Sequence, residues 1–397
     1  MLEIQVCFKI LAVVTPLILL ELLNHKHELK KRIIRRFYQG RFQSVKDWEN
    51  AIYKRNIKWL NNTPVVKASD VQKTFLASIF TSKKGKESIQ VWQGASIYLS
   101  LKEYMLIHQD EKCILEMKKF ENNYKNRYKI SEIRDSDYGM LAFSMLDIPQ
   151  SDDLTKSMIQ YVTDNQVTTG EILYKKGVKN ISFVDTLGFI CPFLTKYGVL
   201  EGDSKYVNTA VEQLELYLVN GTESNSKLPF HAYVIDSHIK KGVCDWARGL
   251  AWLLIGMMDS YLSLRHPSPY DEFFDKYLLK YAEILVSLQR SDGGFTWQLL
   301  SGYQTDSSAT SVFGWYLACC AEIFGNKKYL KSAKQCRKFI MTVTNNNGII
   351  DYCQGDTLGI GVYSRCFDYM PFAQGYALRM QKTIEDAERM LKGRTIT

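Results

Sequence analysis

From about residue 45 onward, apolar residues recur at three- and four-residue spacing almost without a break, and the polar stretches between them are short. This pattern predicts helices over residues 70–80, 91–108, 138–146, 154–163, 185–196, 206–219, 246–264, 271–288, 307–324, 328–342 and 372–382. Clusters rich in Gly, Asp, Asn and Ser separate them, such as QRSDGG (289–294) and TNNNG (344–348), which favour turns. Few prolines and no long polar linker interrupt the run. The body of the chain reads as one all-α unit with short connections.

Five of these segments echo one another. DSDYGMLAFSML, VDTLGFICPFL, CDWARGLAWLLIGM, TDSSATSVFGWYLA and FDYMPFAQGYALRM each set an aspartate ahead of small and apolar residues. Asp137, Asp185, Asp245, Asp306 and Asp368 recur at spacings of roughly 50–60 residues, the range of a two-helix repeat. Any of them can be an N-cap that satisfies orphan backbone amides, and that reading is strongest for Asp306 and Asp368. A ring of helical hairpins whose inner helices start at one end would instead gather these acids around a single mouth. An α/α toroid with a central cavity follows, and an open helical solenoid is the competing architecture.

The N-terminus departs from this pattern. An uncharged apolar run, Ile10 to Leu20, leads into HKHELKKRIIRR. Alone it is shorter than the ~20 residues a spanning helix needs. Glu3 offsets Lys9, and no small-x-small cleavage site precedes the basic cluster, so a cleaved signal fits poorly. Residues 1–34 are therefore expected to form an apolar-then-basic helix ahead of a toroid spanning 35–397. Such a helix can lie in a membrane surface with its basic residues on anionic headgroups, or pack on the domain. An inserted helix would keep the basic run, and so the protein, at the cytoplasmic face.

Composition narrows the function. The chain of 397 residues carries 24 Tyr and 7 Trp, more than packing alone requires, and such residues line many polar-ring pockets. The net charge of +9 is dispersed through the body of the chain, with no basic stripe interleaved with aromatics, which argues against nucleic acid. Nine scattered cysteines include no CxxC pair, and six histidines include no HExxH, so no metal site is signalled. Cysteines in apolar runs, such as Cys319 and Cys320, read as small core residues of a reducing compartment.

The segment GVCDWARGLAWLLIGMMDSYL (242–262) concentrates the candidate chemistry. Its second half is an ordinary core helix. Its first half places Asp245, Trp246, Arg248 and Trp252 within two turns, a planar cation beside flat aromatic surfaces. That pairing suits a ring-shaped, anionic ligand, because a guanidinium fork matches a carboxylate. A structural ion pair to Asp245 or another acid is the plainer reading of Arg248.

WARGLAW (246–252) resembles the W-x-R-G-x-x-W element of the unsaturated glucuronyl and unsaturated rhamnogalacturonyl hydrolases, glycoside hydrolase families 88 and 105. FVDTLGFICPFL (183–194), TDSSATSVFGWYLA (305–318) and MPFAQGYAL (370–378) resemble further segments of those families, in the same order. The resemblance covers most of the chain and implies an (α/α)6 toroid. It places Asp185 at the general acid/base, Asp137 at the second carboxylate, and His231, in LPFHAYVID, at the substrate-facing histidine. Arg248 then reads the substrate carboxylate or hydroxyls, with Trp246 and Trp252 as ring platforms.

The implied substrate is an oligosaccharide ending in a 4,5-unsaturated uronate, and no metal or organic cofactor is expected. Asp185 lies among Phe183, Val184, Leu187 and Phe189, apolar surroundings that raise a carboxyl pKa toward neutrality. Two alternatives compete. LQRSDGGFTW (288–297) partly resembles a terpene-cyclase repeat, but it occurs once and no DxDD or DDxxD cluster accompanies it. A non-catalytic carbohydrate-binding toroid, repurposed for polysaccharide assembly, would keep the aromatic mouth and lose the acid; the presence of Asp185 counts against it.

Overall fold

A computed structural model describes residues 2–66, 87–106 and 108–393, and among them thirteen α-helices carry the chain. Helix α1 (Leu2–Phe37) precedes the body. The body then alternates α2 (Val45–Leu60), α3 (Glu87–Met105), α4 (Glu111–Tyr128), α5 (Tyr138–Met145), α6 (Asp152–Asn165) and α7 (Val184–Glu201). It continues through α8 (Ser204–Asn220), α9 (Ala247–Ser263), α10 (Asp271–Leu288), α11 (Ser307–Phe324), α12 (Lys327–Thr342) and α13 (Pro371–Gly393). The odd-numbered helices α3 to α13 each pack on the next, and α13 returns to α3. The even-numbered ones lie outside, each against an inner neighbour. This closed ring is the (α/α)6 toroid, and closure rules out the solenoid.

The two layers differ in sequence for a physical reason. An inner helix is covered on every side, so it is apolar or small all round. In α9 every residue from Ala247 to Ser260 is buried, and in α11 every residue from Ser307 to Ala321. Inner helices also approach closely: a side chain at Gly139 would place its Cβ 2.3 Å from the Phe189 carbonyl oxygen, and one at Gly375 2.4 Å from that of Ser96. Outer helices carry one apolar stripe, and four of them begin at side-chain caps, Ser44, Asp110, Asp203 and Asn326, each accepting from a backbone amide of its own first turn.

The helices at 271–288 and 307–324 have the boundaries the periodicity predicts. Two outer helices, α2 and α4, are not predicted, because their stripes are narrow and their remaining faces charged. Helix α13 runs eleven residues past the predicted 382, along the polar IEDAERMLKG. The helix expected at 70–80 lies outside the described residues.

The N-terminal segment also differs from expectation. The apolar run ends at Leu20 but the helix does not: α1 is one helix of 36 residues, about 54 Å long, with Pro16 inside it. The stretch Lys9–Phe37 is long and apolar enough, by length and composition, to cross a membrane. Leu11, Val13, Leu19, Leu22 and Leu23 are exposed. Its last turn is bound to the toroid through ion pairs. Arg35 and Arg36 both pair with the buried Asp351, at 2.6 and 3.0 Å, and Arg35 also pairs with Asp368.

Five short strands sit at one end of the ring, in the loops leading into inner helices. β1 (Ile181–Phe183), β2 (Ala232–Val234) and β3 (Lys240–Lys241) form an antiparallel sheet in that order, with Phe183 opposite Ala232. β4 (Cys353–Gln354) pairs with β5 (Phe367–Asp368). At two or three residues each, these strands are too short to leave a period in the sequence.

Candidate active site

Of the five repeated aspartates, only Asp306 caps its helix through its side chain in the expected way. Its Oδ1 accepts from the Ser308 amide at 2.9 Å and from the Gln354 amide at 3.0 Å, so it also fixes β4. Asp245 accepts from the Leu300 amide. Asp368 does not cap α13; it accepts from its neighbour Tyr369 and pairs with Arg35. Asp137 stands at the start of α5 without capping it, and Asp185 occupies the first turn of α7. These last two carboxyls are held for something other than their own helices.

Strand pairing brings the next residue in. β1 leads directly into α7 and lies against β2, so the Val184 amide donates to the His231 carbonyl at 3.0 Å. This registers His231 beside Asp185, with Nε2 3.6 Å from Oδ2. Neither Asp185 Oδ2 nor His231 Nδ1 has a hydrogen-bond partner, although both are buried. Buried polar atoms are rarely left unpaired, and each of these two marks a place where a ligand or water completes the bonding.

Trp246 and Arg248 form the wall behind this pair. The His231 ring lies 4.7 Å from that of Trp246, and Tyr363 covers both, at 5.6 and 5.4 Å. Trp246 Nε1 donates to Gln354 Oε1 at 2.9 Å. Arg248 donates through Nη1 to the Gln354 carbonyl and through Nη2 to the Gly355 carbonyl. Its nearest acid is Asp356, at 3.9 Å, not Asp245. Arg248 therefore holds the 354–356 loop and spreads positive charge behind it.

These charges set the protonation states. Burial first, and then the negative charge of Asp356, pushes the Asp185 carboxyl up to about 7; the Arg248 cation opposes the rise. Burial, reinforced by Arg248, lowers His231 to about 4, so its imidazole is neutral at pH 7. Asp137 is held well above the usual carboxylate range by burial and then by Asp135, against a hydrogen bond of 2.8 Å from the Tyr174 hydroxyl. Asp185 and Asp356 raise it further, which puts Asp137 in the same field. Asp356 is itself raised by burial and lowered by Arg248.

Two expectations are corrected here. Trp252 is no ring platform: it lies in the core among Trp92, Phe189 and Phe372, at 5.3, 4.5 and 4.9 Å between ring centroids. About one and two-thirds turns beyond Trp246, it lies where inner helices meet. Trp246 reaches the site, but His231 and Tyr363 cover it and leave it 1% exposed. The half-exposed rings are Tyr363 and Trp297, which lie 5.7 Å apart. Asp356, Gln354, Tyr363 and Tyr174 were not legible as site residues. The only sequence signal was a polar, Gly-flanked loop, QGDTLG, with no periodicity to place it.

A closed six-hairpin toroid with buried acids gathered at the starts of its inner helices is the class of fold and site seen in carbohydrate-active enzymes. The chain belongs to Glycosyl Hydrolase Family 88, whose model matches residues 31–383. Among solved structures it is similar to one described as a possible member of glycoside hydrolase family 105 from Salmonella enterica subsp. enterica serovar Paratyphi A (17% identity, 88% of this chain and 96% of that one, TM-score 0.71). It is also similar to an unsaturated glucuronyl hydrolase specific for heparin (15%, 86% and 98%, 0.64). A third similar structure is the unsaturated glucuronyl hydrolase from Streptococcus agalactiae (20%, 89% and 94%, 0.59). At these identities the structures show the shared fold. No curated protein matches the chain significantly in sequence.

Proposed function

We propose that this protein hydrolyses oligosaccharides ending in a 4,5-unsaturated uronate, with Asp185 as general acid and base. The observation that carries the reading is the Asp185 carboxyl itself: half-buried, raised to about 7, and with its buried Oδ2 unpaired beside a neutral His231. A group poised near the working pH can both give and take a proton.

The substrate's terminal ring is an enol ether. Protonated Asp185 gives its proton to C4, and the ring oxygen stabilises the cation left at C5. Water adds at C5 while the Asp185 carboxylate takes one of its protons, which restores the acid. The resulting C5 hemiketal opens by breaking its bond to the ring oxygen, which leaves a ketone at C5 and an open-chain hemiacetal at C1. That hemiacetal collapses to the aldehyde and releases the next sugar's hydroxyl, so C1 is never attacked directly. His231 holds the substrate through its unpaired Nδ1. Arg248 and Trp246 act as positioning residues through the 354–356 loop, and Asp356 holds Asp185 in its protonated form. Asp137 lends a second carboxyl to the same field.

The test is loss of ultraviolet absorbance of the unsaturated uronate across a panel of lyase-generated oligosaccharides. Turnover by the wild type and its loss in Asp185→Asn, with ligand binding retained, is the expected result. Binding without turnover across the panel would instead favour a carbohydrate-binding toroid.

We further propose that α1 anchors the toroid at a membrane. The exposed apolar residues between Ile10 and Leu23 support this, together with the basic cluster Lys30, Lys31, Arg32, Arg35 and Arg36 that follows them. By the preference of such clusters, the toroid would lie on the cytoplasmic side.

A further inference from the structure

Helix α12 belongs to the outer wall of the ring, and its sixteen residues include Lys327, Lys328, Lys331, Lys334, Arg337 and Lys338 but no acid. Its apolar stripe, which includes Tyr329, Leu330, Cys336, Phe339 and Ile340, is buried. Lys327, Lys331, Lys334 and Lys338 recur at helical spacing on another face. Beside them lies the end of α13. The two helices enclose a groove of about 920 Å³, floored by Leu330 and Leu391 and rimmed by those four lysines and Lys392.

The acids nearby are committed. Glu388, the one acid lining the groove, pairs with Lys334 at 2.6 Å. Asp386 of α13 pairs with Lys382 and Arg389, and Glu283 of α10 with Lys328. Lys327, Lys331, Lys338 and Lys392 are exposed, and among the described residues none of them pairs with an acid. Like charges one turn apart on a helix repel each other, and an anionic partner laid against them reverses that cost.

The groove itself narrows the partner. A lysine ammonium is a compact point charge without the planar fork of arginine, so it suits many separate phosphates better than one bidentate group. Its long stem lies on apolar surface while the head stays among polar groups, the arrangement favoured at a membrane interface. The groove is also continuous with α1. Lys338 lies one turn before the end of α12, and the chain leaving α1 is stitched to the residues just beyond that end. Gln39 Nε2 donates to the Val343 carbonyl at 3.2 Å, and the Gly40 amide to the Thr344 carbonyl at 2.9 Å.

We propose that the lysine-rimmed groove between α12 and α13 rests on the headgroups of an anionic lipid bilayer. The proposal rests on the reading of α1 as a membrane anchor. The groove adds to the hold of α1 and does not replace it, because exposed cations alone give a weak attachment that salt screens. Helix α12 lies in the side wall, whereas the buried acids and short strands lie at one end of the ring. This contact therefore turns the mouth along the membrane and leaves it open to water.

The test compares the binding of the full-length protein to phosphatidylcholine vesicles with and without phosphatidylglycerol. The wild type should prefer the anionic vesicles, and raised salt should erode the preference. Combined Lys327→Gln, Lys331→Gln and Lys338→Gln should reduce it about tenfold or more. The basic cluster of α1 is intact in this variant, so part of the preference should remain. Arginine at the same three positions should retain it in full. Combined Lys118→Gln, Lys156→Gln and Lys205→Gln, on other outer helices, removes the same net charge and should change it little. Thermal unfolding of all the variants should match the wild type.

An unchanged preference in the groove variant, or an equal loss in the control variant, overturns the groove and leaves the α1 anchor standing. A wild type that binds neither kind of vesicle overturns both. If the groove variant keeps its vesicle preference and loses retention on a sulfated polysaccharide, the occupant is a polysaccharide and the lipid assignment is overturned.

Discussion

Asp185 shows how one residue's surroundings decide its chemistry. An aspartate in water ionises near 3.9, and here burial and the charge of Asp356 lift the group to about 7. The folded protein thus holds the proton more tightly than the unfolded chain does. The linkage sign follows: this group costs no stability below about pH 4, and the cost grows as pH rises from there to about 7 and then stays constant. Asp185→Asn should therefore be more stable than the wild type at pH 8, by on the order of 1–4 kcal/mol, and equal to it near pH 3.5. Denaturant melts at the two pH values measure this directly; a variant less stable at pH 8 would contradict the assignment.

The same carboxyl predicts a kinetic profile. Because its protonated form starts the reaction, kcat/KM should fall above about pH 7. Asp356→Asn removes the charge that helps hold the proton, so the alkaline limb should move to lower pH. Initial rates from pH 5 to 9 on both proteins would show it. A limb that stays in place would separate Asp356 from the tuning of Asp185.

At the scale of elements, helix α9 does two jobs along its length. Its first turn backs the site, and the rest is core. Trp246 meets His231, Tyr363 and Gln354, whereas Trp252 meets Trp92, Phe189 and Phe372. Truncating a buried aromatic to alanine costs about 3–5 kcal/mol, through lost transfer energy and the cavity left behind. Trp252→Ala should thus lower stability by that amount, with kcat/KM normal in the fraction that folds. Trp246→Phe keeps most of the ring and loses the donor to Gln354, so it should spare stability by comparison and reduce turnover. Kinetics and thermal unfolding on the same two variants separate the roles. Activity loss confined to Trp252→Ala would reverse them.

On the whole molecule, α1 is tied to the toroid by the ion pairs of its last turn. Asp351 is fully buried, and its two arginine partners come from the last turn of α1. Removing one side of a buried pair leaves a charge uncompensated, at a cost of about 3–5 kcal/mol. Deleting residues 2–24 spares those arginines, so the protein should leave anionic vesicles in a flotation assay and still melt near the full-length temperature. Deleting residues 2–37 should lower stability markedly. If the shorter deletion also unfolds the protein, the exposed apolar half of α1 supports the fold and is no anchor.

Helical periodicity, short polar breaks and an aspartate ahead of each inner segment were enough to determine a helical toroid and to mark Asp137 and Asp185. The Trp-Arg motif stood out by its residue types, and His231 and the site roles came from the resemblance to families 88 and 105. Those features are local. A helix writes its buried stripe into the sequence at fixed spacing, and an inner helix, covered on every side, writes apolar residues all along its length. The strands β1 and β2, which set His231 beside Asp185, are three residues long and exist only because the ring brings their loops together. Asp356 and Gln354 reach the site from more than a hundred residues beyond Arg248, across the sixth hairpin. Whether Trp246 or Trp252 meets the site was likewise decided by packing, since both carry the same motif and differ only in their depth along α9. The proton affinity of Asp185 came last of all, because it depends on the distances between charges and on the exclusion of water. A linear sequence contains the groups that create that field but not their separation.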